Sequence, residues 1–184
     1  MMKIERICLL WVMMLTLLLS IGFVHATNNI GMEMDFKGTL VNEPCTVDPN
    51  DTDIHLDFGT IIDEYLYLNT RTHSQPFTIH LQDCDIDNWP GEGTVTVHFD
   101  GAEDAALPGY LAMSDTTIGA AVGLEQGDGT FLPLRKTSAP IQLSDGSVAL
   151  NFKAFVEGEP QAITNKTIKL GDFSATATFF LDYP

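Results

Sequence analysis

Ser174-Ala-Thr-Ala-Thr-Phe-Phe-Leu-Asp-Tyr-Pro184 closes the sequence, and its reading decides the fold. Ala175, Ala177, Phe179, Leu181 and Tyr183 fall on one face, Ser174, Thr176, Thr178 and Asp182 on the other, with Phe180 the one discordant outward position. A period of two, built from small, threonine and aromatic side chains, predicts a half-buried strand. A strand in this last place raises a question: what covers the edge beside it?

Working back from that strand, the chain is a series of short alternating runs. Phe36, Gly38 and Leu40 share a face, as do Ile54, Leu56 and Phe58, then Phe77, Ile79 and Leu81, then Val95, Val97 and Phe99. Ile118, Val122 and Leu124 follow, and then Val148, Leu150, Phe152, Ala154 and Val156. Turn signals separate them at Pro49-Asn50-Asp51, Asn88-Trp89-Pro90-Gly91, Pro108-Gly109, Gly127-Asp128-Gly129 and Asp145-Gly146. No segment carries a sustained helical period; Glu103 to Leu107 reads as a single turn. Six or seven strands at this spacing predict an all-β fold, an antiparallel sandwich of immunoglobulin-like type. The immunoglobulin pattern is incomplete, because Trp89 lies in a turn cluster and not on a strand between the cysteines. A closed barrel is the competing architecture.

Residues 1–26 read as a secretory signal peptide. Lys3 and Arg6 precede an apolar run from Ile7 to Leu19, and Val24-His25-Ala26 supplies a small-x-small cleavage site. The run is short for a membrane span, the competing reading. The mature chain, residues 27–184, holds 158 residues, enough for one domain with a substantial core. Once Lys3, Arg6 and Glu5 leave with the signal, 7 basic and 24 acidic residues remain of the full 9 and 25, a formal charge of −17. Such a surface repels nucleic acid and anionic membranes, and it suits a soluble extracytoplasmic protein or a basic partner.

Cys8 also leaves, so Cys45 and Cys84 form an even pair in a chain bound for an oxidising compartment and are expected to make one disulfide. On the chain-entropy model, closing a loop of about 40 residues contributes roughly 4 kcal/mol. A metal site is the weaker alternative, since neither cysteine has a second Cys or His at ligand spacing.

Several stretches resemble the chaperone-usher pilins of Gram-negative bacteria, above all the minor tip and adaptor subunits of P-type pili. Phe36-Lys-Gly-Thr-Leu-Val-Asn-Glu-Pro-Cys45-Thr-Val47 is similar to that family's approach to its first cysteine, and Phe77-Thr-Ile-His-Leu-Gln-Asp-Cys84 to the strand carrying the second. Glu103-Asp-Ala-Ala-Leu-Pro-Gly109 and Gly123-Leu-Glu-Gln-Gly-Asp-Gly129 resemble stretches of minor pilins, and Gly171 to Tyr183 resembles the alternating terminal strand with its penultimate tyrosine.

The resemblance implies an incomplete immunoglobulin-like sandwich lacking its final strand, with an acceptor groove beside Ala175, Ala177, Phe179, Leu181 and Tyr183. Completion would come by donor-strand complementation, a form of β-augmentation for which chaperone–pilin complexes are the standard example. The implied partners are a periplasmic chaperone, an outer-membrane usher and neighbouring pilins in a head-to-tail fibre at the cell surface. No cofactor, nucleic acid or membrane insertion is expected. The chain's own donor strand would be residues 27–40, with Met32, Met34, Phe36, Gly38 and Leu40 alternating against Glu33, Asp35, Lys37 and Thr39. Gly38 suits a shallow part of a groove. Residues 41–184 would be the pilin domain. Burying the four large donor side chains at about 1.5–3 kcal/mol each gives roughly 6–12 kcal/mol gross, comparable to a whole domain's net stability. The same periodicity also fits a first strand of the chain's own domain, so the boundary stays open between Phe36 and Pro44.

Other classes fit less well. Asp83, Asp85, Asp87, Asp100, Glu103 and Asp104 could be imagined as an acid/base pair or calcium site, but no metal-loop motif joins them and they read as solvated turn residues. The histidines occur singly, and Ser144 and Ser147 lack a nucleophile elbow. A tip adhesin would need a separate binding domain, for which 158 residues leave no room. A fibre-terminating subunit, or a pilin-fold module with its own receptor site, remain the alternatives.

Overall fold

The computed structural model describes residues 43–184. The strands among the described residues are β1 (Thr46–Val47), β2 (Gln75–Cys84), β3 (Thr94–Gly101), β4 (Leu111–Ala112), β5 (Ala120–Gln126), β6 (Ile141–Gln142), β7 (Gly146–Gly158) and β8 (Ala177–Asp182). They form a five-stranded sheet in the order β1-β2-β7-β5-β4 and a three-stranded sheet in the order β6-β3-β8. Every ladder is antiparallel.

Strand periodicity in the sequence translates directly into the core. Phe77, Ile79 and Leu81 of β2 stand opposite Phe152, Leu150 and Val148 of β7, so the inward faces of the two strands coincide. Val95, Val97 and Phe99 supply the facing layer from β3, and Ile79, Leu81, Val95, Val97 and Leu150 are wholly buried. Phe99 meets the rings of Phe77 and Phe152 edge-on at centroid distances of 6.0 and 5.2 Å, which joins the two sheets. Cys45 and Cys84 are disulfide-bonded across 39 residues, tying the chain before β1 to the end of β2.

The structure differs from the sequence expectations in three places. Ile54, Leu56 and Phe58 keep their alternation but form no ladder, because no strand among the described residues bonds to their backbone. Two short helices occur where none is expected, α1 (Asp63–Asn69) and α2 (Pro160–Asn165). They are too short for a periodic stripe, and each buries one residue, Leu66 and Ala162. Local chemistry starts them: Asp63 and Glu64 face the positive end of the α1 dipole, and Pro160 occupies the first turn of α2. Third, β5 is buried on both faces, not one, from Ala120 to Glu125.

Candidate functional site

β8 is bonded to β3 along one edge, from Gly101 opposite Ala177 to Thr96 opposite Asp182. Its other edge has no ladder partner among the described residues. Ala175, Ala177, Phe179, Leu181 and Tyr183 are all half-buried and packed toward the core, while the residues between them are exposed. Phe180 is 45% exposed, yet it is not idle: it stands opposite His98, stacks on that imidazole at 4.9 Å, and His98 Nδ1 lies 3.1 Å from Asp182 Oδ2. A cross-strand pair on the outer face explains the break in the alternation.

A second wall comes from the segment that the sequence presents as a strand. Ile54, Leu56 and Phe58 also pack toward the core, alternating with exposed His55 and Asp57. Among the described residues, backbone 53–58 bonds to no other element. The two walls meet at one end, where Phe58 and Phe173 lie 6.2 Å apart. Near that end Ser114 fixes the approach to β8, its N–H donating to Ser174 O at 2.8 Å while its Oγ accepts the Ser174 N–H at 3.3 Å.

At the opposite end the Trp89 loop seats the chain. Trp89 meets the Tyr183 ring edge-on at 6.3 Å, and the Glu92 N–H donates to the Pro184 carbonyl at 3.0 Å. Pro184 has no N–H to offer, and in this seat it needs only its acceptor. Gly91 leaves the room for this arrangement: a Cβ there would lie 2.2 Å from the Trp89 Nε1 and 2.4 Å from the Pro184 carbonyl oxygen. The Tyr183 hydroxyl is enclosed without a hydrogen-bond partner. Burial, with a smaller push from the charge of Glu43, raises it to about 12.

The two walls thus present apolar faces with unbonded backbone between them. Apolar side chains beside unbonded backbone are the chemistry that suits an extended peptide. Among the described residues no three His, Cys, Asp or Glu side chains converge as a metal site. Four of the six carboxylates singled out in the sequence have structural partners. Asp100 and Glu103 both pair with Arg135, at 2.8 and 2.9 Å, Asp104 accepts the N–H groups of Ala106 and Leu107, and Asp85 accepts from Asn88. The candidate donor residues Met32, Met34, Phe36, Gly38 and Leu40 lie outside the described residues. Sequence reasoning missed the Ile54–Phe58 stretch as a wall and the Trp89 loop as a seat. The alternation was a signal for the first; only Gly91 beside an aromatic hinted at the second.

The family profile described as Fimbrial protein matches residues 34–184. The chain belongs to the fimbrial protein family. Among its relatives, this pilin is 36% identical over 171 residues to the putative minor fimbrial subunit PmfF of Proteus mirabilis, covering 91% of this chain and 92% of that one. It is 32% identical over 172 residues to the fimbrial adapter PapK of Escherichia coli, covering 90% and 96%. In structure it resembles the P pilus rod subunit PapA, with a TM-score of 0.68 at 26% identity over 77% of this chain and all of that one. A chaperone-usher pilus structure matches with a TM-score of 0.67 at 27% identity, covering 83% and 95%. The pilin is a structural subunit of chaperone-usher fimbriae and not an enzyme, and its sandwich is the incomplete immunoglobulin-like fold of that group. A cell-surface pilus is its place of work.

Proposed function

We propose that this pilin is a minor tip or adaptor subunit that joins its neighbours by donor-strand exchange. The observation that carries the reading is the outer edge of β8, unpartnered among the described residues, with a second unbonded apolar stretch at Ile54–Phe58 that meets the approach to β8 through Phe58 and Phe173. An inserted strand would bond that edge and set alternate side chains against Phe179, Leu181 and Leu56. Similarity to a minor subunit and to an adapter supports the position in the fibre.

On this reading residues 1–26 direct export and are removed, residues 27–40 form the extension given to the preceding subunit, and residues 41–184 form the acceptor domain. A periplasmic chaperone fills the groove before assembly, and the usher exchanges it for the next subunit's extension. Because each subunit gives a strand at one site and receives one at another, the contact is heterologous and does not close, which makes a linear fibre.

The test is a displacement assay. The mature subunit, purified with its chaperone, is challenged in turn with synthetic peptides of the amino-terminal extensions of the fimbria's other subunits. Release of the chaperone and a rise in melting temperature are expected of a tip or adaptor subunit. A chaperone that stays bound points to a terminating subunit, the second reading. A lone subunit that melts cooperatively as a monomer, no lower than its complexes, contradicts strand acceptance altogether. Deleting residues 27–36 is expected to leave chaperone binding intact and to stop docking onto the preceding subunit.

A further inference from the structure

The most exposed large apolar side chains of the domain gather at one end of the groove. Ile62 is 62% exposed, Leu68 83% and Leu170 80%. Ile62 lies just beyond Phe58 and Leu170 just before Phe173, the two residues whose rings close the walls. Leu68 belongs to α1, whose Tyr67 hydroxyl accepts the Ile168 N–H at 3.1 Å, so helix and Leu170 segment are tied together. The next N–H, of Lys169, is bonded to Ile118 O at 2.9 Å. These leucines are therefore held outward by an ordered backbone.

We infer that Ile62, Leu68 and Leu170 form a contact surface for the globular domain of the neighbouring pilin whose extension enters this groove, an inference that rests on the strand-acceptor reading. Its direction follows from the ladders. All pairing in the described residues is antiparallel, and antiparallel pairing is the more stable kind. A strand antiparallel to β8 has its carboxyl-terminal end beside Phe173. A donated extension precedes its own domain, so that domain is delivered to the Phe58–Phe173 end, onto the three exposed residues.

Charge favours the same end. Around the opposite, Tyr183 end lie Glu43, Asp85, Asp87, Glu92 and Asp182 with no lysine or arginine in the same stretches, which repels a second acidic domain. At the Phe58–Phe173 end the acidic Asp57, Asp63, Glu64 and Asp172 are partly offset by Lys166 and Lys169. Three isolated apolar residues need no explanation on a monomer surface, but three at the mouth of a binding groove mark a contact.

The experiment places a photo-cross-linking amino acid at Thr178, on the exposed face of β8, and separately at Leu68 and at Leu170, in cells that assemble the whole fimbria. Thr178 is expected to capture the extension of one neighbouring subunit. Leu68 and Leu170 are expected to capture the same polypeptide through residues of its globular domain. Capture of nothing, of a different fibre subunit, or of the chaperone alone at Leu68 and Leu170, while Thr178 captures an extension, overturns the inference and leaves the strand-acceptor reading standing. Failure of Thr178 to capture any extension overturns both. As a second readout, Leu68→Glu with Leu170→Glu, both exposed and so tolerated by the fold, is expected to leave uptake of the extension peptide unchanged while docking of the whole subunit found at Thr178 weakens about tenfold. Unchanged docking contradicts the surface.

Discussion

The two sheets differ in how far the chain satisfies them. In the five-stranded sheet β7 is bonded on both sides, to β2 and to β5. Even its outer face is covered: the buried Glu125 carboxylate accepts from Arg71 Nη1 and Ser74 Oγ at 2.7 Å each, and the Arg71 guanidinium lies 4.1 Å over the Phe155 ring. Tyr110 adds a bond to Glu157 at 2.9 Å, and burial followed by that carboxylate pushes its phenol well above the ordinary range. In the three-stranded sheet β8 is bonded on one side, and its apolar face is half-buried, not buried. One sheet is a finished scaffold. The other ends in an edge that no ladder covers among the described residues.

Substitutions can break this contrast from either side. The largest effect is expected in the scaffold: Phe152→Ala, removing a buried ring that touches Phe77 and Phe99, is expected to cost about 3–5 kcal/mol in denaturant melts, alike with and without a bound strand. Leu181→Ala, on the half-buried face of β8, is expected to weaken uptake of the extension peptide by about 2 kcal/mol, read by titration, and to change the peptide-free melt much less. Equal losses in both measurements would erase the distinction between the sheets.

Gly91→Ala probes the seat at the Tyr183 end. The added Cβ meets the Trp89 indole and the Pro184 carbonyl, so the loop must shift, at about 1–2 kcal/mol in the melt and with loss of the Trp89 fluorescence environment. Smallest are the pH effects. Tyr183 ionises near 12 in the fold, above the ordinary tyrosine value, so its contribution is complete below about pH 10 and fades as pH rises through 12. Melts of Tyr183→Phe are expected to lack that alkaline decline. Asp51 is shifted the other way, lowered first by the His80 N–H and less by the His80 ring. Its contribution is complete above the usual carboxylate range and is lost as pH falls through its depressed folded value, a decline that Asp51→Asn is expected to remove.

Much of this was legible in the sequence because a period of two survives translation into structure. Phe77 to Leu81, Val95 to Phe99 and Val148 to Val156 lie on strands as their alternation requires, and β8 faces the core with Ala177, Phe179 and Leu181, with Ala175 and Tyr183 packed on the same side just beyond its ends. What escaped depends on contacts that no local pattern encodes. Glu125 reads as an ordinary outward strand residue until Arg71, distant in sequence, covers it. Gly123 gives no sign that its missing side chain admits the Phe155 ring, which a Cβ would meet at 2.3 Å. Ile54 to Phe58 show the reverse: the pattern is a strand's, but a strand exists only when something bonds to it, and among the described residues nothing does.

The central claim, that the outer edge of β8 awaits another polypeptide's strand, is tested most directly by hydrogen exchange at single-residue resolution in the mature subunit with residues 27–40 deleted. The β8 amides not bonded to β3 are expected to exchange at least about a thousandfold faster than those of β2 and β7, and to slow toward them when the extension peptide of the following subunit is added. Equal protection of β8 and β7 before any peptide is present, or β8 amides that stay fast once it is bound, would contradict the claim.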